Sequence, residues 1–369
     1  MRQVAHFFLF MTVVTCVYGG MHLLVFKGLQ PLLVLMALQA PVVWLMVFGS
    51  LAYFLGETLC VYIPTAPVTY FGELWMGFIS LAFSVFVLLF GLNFLFPLPT
   101  KHLALAGLGL SLALTLFAWV KELFPPRIKT LTLPIPKNHA GLNGFRILHL
   151  SDLHIGHTKS LRWLRQGVAQ ANAQNADVIL ISGDLIDYSA KHVPEAASVL
   201  SELKAPYGVF AVSGNHDFYA GIHRYQALLQ VAGIKGLDNH NITLANGLQL
   251  AGVYDIAGRQ LRQAALLPNL DSALAGLDPQ KPIVLLNHQP LGFDQAVARG
   301  VDLQLSGHTH AGQIPPLDLV VRFYFKYSWG LYRHENAFIH TSCGSSTWGP
   351  PMRLFSRSEM TVIRFSQAS

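Results

Sequence analysis

Five short polar clusters in the second half of the chain carry the residue types that hold metal ions and phosphate. In order they are Asp152-Leu153-His154, Gly183-Asp184-Leu185-Ile186-Asp187, Gly214-Asn215-His216-Asp217, Asn287-His288 and Gly307-His308-Thr309-His310. They supply carboxylates, imidazoles and one side-chain amide, each just beyond an apolar run that reads as a strand. Two divalent ions about 3.5–4 Å apart can share a hydroxide and clamp a phosphate for in-line attack. Oxygen and imidazole ligands suit Mn, Fe, Zn or Ni better than Ca or Mg. Two divalent ions per chain, with Mn, Fe or Zn foremost, are therefore the expected cofactors.

The spacing within each cluster suggests a division of labour. Asp152 and His154 are two residues apart, so in extended backbone both point the same way and can reach one metal. Asp184 follows a glycine that permits close backbone approach, and its two oxygens can bridge two ions. Asn215 adds a neutral oxygen to the second metal, which limits negative charge in a site that must admit a phosphate anion. His288 follows another strand. His308 and His310 alternate, one for each metal. With Asn215 facing the metals, His216 projects toward the leaving-group oxygen, where it can donate a hydrogen bond or a proton. Asp217 is expected to orient that imidazole and raise its pKa, and Asp187 to brace the loop after Asp184. His157 is a candidate substrate contact, and His149 reads as a structural strand residue. Alone, an Asp-x-His pair is more often a cap beside a surface histidine, and His288 a core or surface histidine. Recurrence after five separate strands sets them apart.

The elements that must position these residues form an alternating α/β pattern from Phe145 onward. Phe145–Leu150, Asp177–Ile181, Tyr207–Val212, Ile283–Leu286 and Val301–Leu305 read as buried strands ending at the clusters. Leu161–Ala173 and Tyr219–Val231 read as helices. Asn246-Gly247 within Asn241–Val253 marks a hairpin. Phe338–Thr341 and Thr361–Phe365 are closing strands. In open α/β sheets, ligands bind at the carboxyl ends of strands.

The rest of the chain has another character. Of 369 residues, 52% are hydrophobic and only 12% charged, and mean hydropathy is +0.43. A soluble domain carries about 25% charged residues, so part of the chain belongs in lipid. Four apolar stretches precede the clusters: Val4–Phe26, Leu29–Leu55, Leu74–Phe96 and Leu103–Phe124. Each approaches or exceeds the ~20 residues that span a bilayer. They are apolar all round, unlike the striped helices of a soluble bundle. The first is too long for a cleaved signal peptide, and three more follow. Pro31 and Pro41 fall in or near the second stretch, where they are expected to kink it. Ionisable residues, His6 and His22, fall near span ends, which favours an anchor over a transport path. The net charge of +6 suits anionic headgroups; without a basic stripe, no nucleic acid is expected. The three cysteines are far apart and imply no disulfide framework. The resulting division is 1–124 transmembrane, 125–144 linker with a first strand over Lys129–Pro136, and 145–369 the globular domain. Arg2, Lys121, Arg127 and Lys129 flank one side and Lys27 and Lys101 the other, which favours a cytoplasmic globular domain.

The ordered clusters D-x-H, G-D-x-x-D, G-N-H-D, H and G-H-x-H resemble those of the calcineurin-like metallophosphoesterase superfamily, across Phe145–Phe365. The run Gly307-His308-Thr309-His310-Ala311-Gly312-Gln313 is similar to that of its membrane-associated bacterial members, with Ala311 in place of a glycine. The tail from Thr341-Ser342-Cys343-Gly344 through Pro351-Met352-Arg353 to Glu359 is similar to their C-terminal pattern, and makes Arg353 a second candidate substrate contact. His154 and Asp187 separate the chain from purple acid phosphatases. The resemblance implies an α/β sandwich of two β-sheets flanked by helices, and a dinuclear metal centre. Asp152, His154, Asp184 and His310 would hold the first metal. Asp184, Asn215, His288 and His308 would hold the second, and His216 would be the catalytic histidine.

The expected activity is hydrolysis of a phosphoric ester by a multi-pass protein of the bacterial inner membrane. The substrate would be a phosphodiester or pyrophosphate, with lipid-linked substrates suggested by the spans. Two other readings compete: a metal-bearing interaction domain without turnover, and a transporter or receptor with an accessory domain. Retention of every ligand position disfavours the first, and charge-poor spans the second.

Overall fold

The structure is a computed structural model and describes residues 2–60, 62–156, 158–190, 193–261 and 263–367. His157 lies outside the described residues. The chain divides into two compact units. The first comprises Met1–Lys121 with Ile314–Leu317 and Gly349–Leu354; the second comprises Glu122–Gln313, Asp318–Trp348 and Phe355–Ser369.

Among the described residues, the first unit contains four helices, α1 (Arg2–Leu35), α2 (Gln39–Leu59), α3 (Ala66–Leu95) and α4 (Thr100–Lys121). All four are long and apolar enough to cross a membrane. Small residues let them approach closely. Gly28 of α1 and Gly107 of α4 both abut the Phe86 ring of α3, and Gly72 of α3 abuts the Tyr53 backbone of α2. The break expected at Lys27-Gly28 is absent, because Gly28 serves packing rather than a turn. The chain instead reverses near Ala37, whose φ is +54°. Pro31 thus lies inside α1, and Pro41 falls in the first turn of α2, where its missing N–H costs little. His22 is inside α1 rather than near a span end. Its Nε2 accepts from Trp75 Nε1 at 3.0 Å and its Nδ1 lies 2.8 Å from the Tyr18 carbonyl, so the ring is satisfied within the bundle. Two Pro-Pro segments complete this unit. Ile314 and Met352 are buried with Leu81 and Ala118, Ser80 Oγ donates to the Pro315 carbonyl at 2.6 Å, and Lys121 Nζ donates to the Leu354 carbonyl at 2.9 Å.

The second unit runs β1 (Arg127–Pro134), β2 (Arg146–Leu150), α5 (Leu161–Asn172), β3 (Val178–Ser182), α6 (Val193–Leu200), β4 (Val209–Val212), α7 (Asn215–Ala220) and α8 (Ile222–Ala232). It continues through β5 (Lys235–Gly236), β6 (His240–Thr243), β7 (Gln249–Gly252), α9 (Ala257–Gln260), α10 (Leu270–Leu274), β8 (Ile283–Leu286), α11 (Phe293–Val297), β9 (Leu303–Ser306), α12 (Leu317–Tyr324), β10 (Gly330–His334), β11 (Ala337–Thr341) and β12 (Glu359–Ser366). These strands form two six-stranded sheets, ordered β1-β12-β2-β3-β4-β5 and β10-β11-β9-β8-β7-β6. The β2-β3-β4 and β7-β8-β9 ladders are parallel, and β6 and β7 form the antiparallel hairpin around Asn246-Gly247.

Strand periodicity builds the layers. Ile147, Val178, Leu180, Phe210 and Val212 of one sheet share a core with Leu250, Val284, Leu286, Leu303 and Leu305 of the other. The alternate residues Leu148, Leu150, Ile179 and Ile181 face α5, α6 and α8 on the outside, while Ala251, Ile283 and Leu285 face α10 and α11. The helix expected over Tyr219–Val231 is two helices, because Gly221 (φ +106°) breaks it. The first strand is β1, which starts two residues before Lys129 and pairs in parallel with β12.

Candidate metal centre

Each polar cluster begins where a parallel strand stops: Ser151 after β2, Gly183 after β3, Ser213 after β4, Asn287 after β8 and Gly307 after β9. The clusters are not the extended, alternating backbone expected from their spacing. Asp152, His154, Asp184, His308 and His310 all have positive φ, from +46° to +69°. Such a backbone is costly for a residue bearing Cβ, of order 1 kcal/mol or more each, and concentrates at functional sites. Tight reversal, rather than strand alternation, makes these side chains converge. Gly214 is required for a related reason: a Cβ there would strike the Asp184 carboxylate.

Among the described residues, two groups of donors share no member, Asp152, His154 and His310 in the first and Asp184, His288 and His308 in the second, and a third, His154, Asp184 and His216, joins them; within each, one ligand atom per residue lies within 4.8 Å of the others. In the first, His154 Nε2 is 3.0 Å from His310 Nε2, and His310 Nε2 is 3.4 Å from Asp152 Oδ1. In the second, Asn215 Oδ1 is 2.7 Å from His308 Nδ1 and 3.2 Å from His288 Nε2. Asp184 Oδ2 stands between the groups, 3.7 Å from His154 Nε2 and 3.2 Å from His288 Nε2. Its other oxygen accepts the His216 backbone N–H at 2.8 Å.

The chemistry of these donors fits cations. His288 Nδ1 lies 2.7 Å from the Ser182 carbonyl, and His154 Nδ1 lies 2.8 Å from Asp187 Oδ1. Each contact places the proton of a neutral ring on Nδ1 and leaves the Nε2 lone pair facing the Asp184 carboxylate. Lone pairs opposed at this distance are reconciled by a cation, and such second partners are how ligating histidines are oriented. The Asp152 carboxylate is fixed by Ser151 Oγ and by the His308 N–H at 3.0 Å.

His216 and the two remaining carboxylates depart from expectation. Asp187, not Asp217, holds the His216 ring, with Oδ1 3.0 Å from Nδ1. The same oxygen holds His154. Asp217 is fully buried and braces the loop: it accepts the backbone N–H of Leu185 and Ile186, both at 3.0 Å, and of Gly214 at 2.8 Å. The roles expected of Asp187 and Asp217 are therefore exchanged. Asp217 sits three residues past the N-cap Gly214 of α7, where a carboxylate turns back onto backbone N–H groups, and Gly214-Asn215-His216-Asp217 carries that signal. With the protein's own charges, burial lowers the His216 pKa, but Asp184 and the Asp187 contact outweigh it and raise it to about 9. Burial would raise Asp187; His154 and His216 instead hold it well below the usual carboxylate range. With the same charges alone, burial would lower His288, but Asp184 outweighs it and raises the ring well above its ordinary value; burial together with that charge lowers His308 to about 3.

The rings of Trp348 and Tyr219 flank His216, at centroid distances of 5.4 and 5.5 Å; the sequence carries no signal for either, since neither lies in a ligand cluster or bears a group that ionises near neutral pH. Gln313 ties the Trp348 backbone from both sides, at 3.0 and 2.9 Å. His149 is a buried strand residue, 2.9 Å from His340 Nδ1 and 2.8 Å from Ser182 Oγ. Arg353, a candidate substrate contact, lies in the helical unit with no accessible surface, so its side chain is enclosed rather than offered to substrate.

The family model for the calcineurin-like phosphoesterase matches residues 145–312, which hold all five clusters. A Helicobacter pylori (strain J99) metallophosphoesterase is 34% identical over 275 residues, covering 72% of this chain and 73% of that protein. The chain belongs to the calcineurin-like metallophosphoesterase family. A Danio rerio protein described as a transmembrane protein with metallophosphoesterase domain is 35% identical over 272 residues, covering 71% of this chain and 62% of its own length. The match thus spans less than two thirds of that relative. The crystal structure of a dimetal phosphatase from Danio rerio is 13% identical, with a TM-score of 0.37 over 61% of this chain and 93% of the other. Membership is shared by bacterial and animal proteins, and the members include one with a transmembrane description.

Proposed function

We propose that the chain is a membrane-anchored, two-metal phosphoester hydrolase. Asp152, His154, Asp184 and His310 hold one ion, and Asp184, Asn215, His288 and His308 the other. The observation that carries the reading is the position of Asp184 Oδ2, one carboxylate oxygen set between two separate donor groups. Bound there, two divalent ions would neutralise charge on a phosphoryl group and supply an activated water. The chain's own part is orientation and proton delivery. His154 and His288 are locked through Nδ1, so their Nε2 atoms stay aimed at the site. His216, held through Nδ1 by Asp187, keeps Nε2 as the atom that donates a proton to the departing oxygen. Trp348 and Tyr219 confine that ring.

The preferred bonds are those of a phosphodiester or pyrophosphate, on a substrate that can be lipid-linked. The four apolar helices support placement as a multi-pass membrane protein; we place it in a bacterial inner membrane, and the excess of Arg2, Lys121, Arg127 and Lys129 over Lys27 and Lys101 supports a catalytic unit on the cytoplasmic side. The test is hydrolysis of bis-p-nitrophenyl phosphate and p-nitrophenyl phosphate by detergent-purified protein, stripped of metal and then given Mn. Mn-dependent release that is lost in His216→Ala supports the proposal. Undiminished release by His216→Ala would remove His216 from the chemistry, and release without any metal would remove the two-metal site.

A further inference from the structure

Helix α12 is turned inside out. It buries its acidic residue, Asp318, and exposes Leu319, Val320, Phe323 and Tyr324, at 65%, 57%, 95% and 76% of their surface. These residues fall at i, i+1, i+4 and i+5, so they form one continuous outward face. A contiguous exposed apolar face marks a binding surface for membrane, protein or ligand.

Two observations select the membrane. First, α12 follows Ile314-Pro315-Pro316 directly in the chain, and Ile314 is buried with Leu81 and Ala118 of helices long enough to cross a bilayer. Its outward face thus starts at a point anchored to the spanning bundle. Second, its composition is aromatic and aliphatic with exposed Arg322 beside it, a combination that settles at the headgroup level. The far end of the helix leads to the metal centre: Phe325, next after Tyr324, is buried with its ring 5.5 Å from that of His308.

We propose that α12 lies in the membrane interface, with Leu319, Val320, Phe323 and Tyr324 in the headgroup–acyl boundary, and that it presents the metal centre to a phosphoester carried by a membrane-embedded amphiphile. The second half rests on the hydrolase reading above; the first half stands apart from it. An amphiphile hydrolysed in place need not transfer its apolar chain into water.

The test uses the full chain in nanodiscs of phosphatidylcholine and phosphatidylglycerol. An environment-sensitive fluorophore is attached at Phe323→Cys or, as control, at the exposed Lys204→Cys, both in a Cys16→Ser background, the other two cysteines being buried. Headgroup-level nitroxide lipid is expected to quench the label at 323 several-fold more than at 204, and aqueous iodide to do the reverse. A label at 323 that iodide reaches as freely as at 204 overturns the placement. A label shielded from both quenchers also overturns it, since a protein partner or second copy would then cover the face. The double variant Phe323→Asp/Tyr324→Asp tests the substrate. It is expected to keep turnover of bis-p-nitrophenyl phosphate and raise KM for p-nitrophenyl hexadecyl phosphate about tenfold or more. Equal effects on the two esters, or none on the second, overturn the substrate half. Wild-type protein inactive on both esters would sink the hydrolase reading, and with it that half, while quenching still decides where α12 lies.

Discussion

In the two-metal reading proposed above, Asp187 is the residue at which metal binding and proton delivery meet. One oxygen, Oδ1, contacts His154 Nδ1 at 2.8 Å and His216 Nδ1 at 3.0 Å. Hydrogen bonds to a charged group contribute about 1.5–3 kcal/mol each. Removing the second partner of a ligating histidine typically costs about 10–100-fold in metal affinity or activity, which at about 1.4 kcal/mol per tenfold is the same range. Asp187→Ala strips both contacts at once. It should weaken the ion shared with His154 about 10–100-fold. The ion held by Asp184, Asn215, His288 and His308 does not use Asp187 and should keep its affinity, so a Mn titration of stripped protein should become biphasic. Saturating Mn should not restore turnover, because His216 has lost its orientation as well; a residual deficit of about 10–100-fold in kcat is expected. Asp187→Asn keeps an oxygen acceptor without the charge and should fall between. The assays are calorimetric Mn titration and hydrolysis of bis-p-nitrophenyl phosphate at saturating Mn. Two Mn sites of wild-type affinity and a kcat equal to the wild type in Asp187→Ala would refute the reasoning. Full rescue of kcat by Mn would refute only the part that concerns His216.

Asp217→Asn should destabilise the catalytic unit, by about 1–3 kcal/mol for each backbone N–H left without an acceptor, seen as a lowered Tm with or without metal; an unchanged Tm would return Asp217 to the orienting role expected from sequence. Asp184→Asn should impair both metal sites together, since its oxygen lies between the two groups, and a stoichiometry of one Mn with normal affinity would contradict that position. Chelation should lower the Tm of wild-type protein, since ions bound at a hundred times their Kd stabilise by about 2.7 kcal/mol, and should leave Asp184→Asn almost unchanged. Burial pushes Asp238 up to about 6 from 3.8. Between these values the folded state keeps a proton that the unfolded state has lost, so this stability is present at low pH and disappears as pH rises through 6. The loss is about 3 kcal/mol at about 1.4 per unit, and Asp238→Asn should show a Tm less dependent on pH between 4 and 7 than the wild type.

The strand ends were legible because a buried parallel strand has little freedom of composition. Val178–Ser182 and Ile283–Leu286 are wholly buried, so their apolar runs stop where the sheet stops and the polar residues that follow stand on its rim. The backbone of those rims was not legible. Asp152-Leu153-His154 reads equally well as extended or as a left-handed reversal, and only contacts from other strands select the latter. One such contact is the Asp152 N–H donating to the Gly183 carbonyl at 3.0 Å, and another is the His154 N–H donating to the Asp184 carbonyl at 3.0 Å. The exchange of Asp187 and Asp217 has the same origin, since which of two neighbouring loops a carboxylate serves depends on where those loops meet. The end of α1 was misplaced because a glycine can break a helix or receive a neighbouring helix, and Phe86, which decides the matter at Gly28, is far away in the chain.

The reversed backbone has a consequence for how the site tolerates change. Asp152, His154, Asp184, His308 and His310 each hold a conformation that the residue itself disfavours, and all five carry side chains in donor groups on which at least two strand ends converge. The strain is sustained by neighbours: Asp152 alone is tied by Gly183, Ser151, His308 and Ser346. A donor so fixed does not move to compensate when its partner is altered. Metal affinity should therefore be lost in steps tied to individual contacts, as argued for Asp187, rather than recovered by relaxation. Glycine at these positions would relieve the backbone but remove the donor, so the residues that bear the strain are the ones whose side chains the chemistry requires.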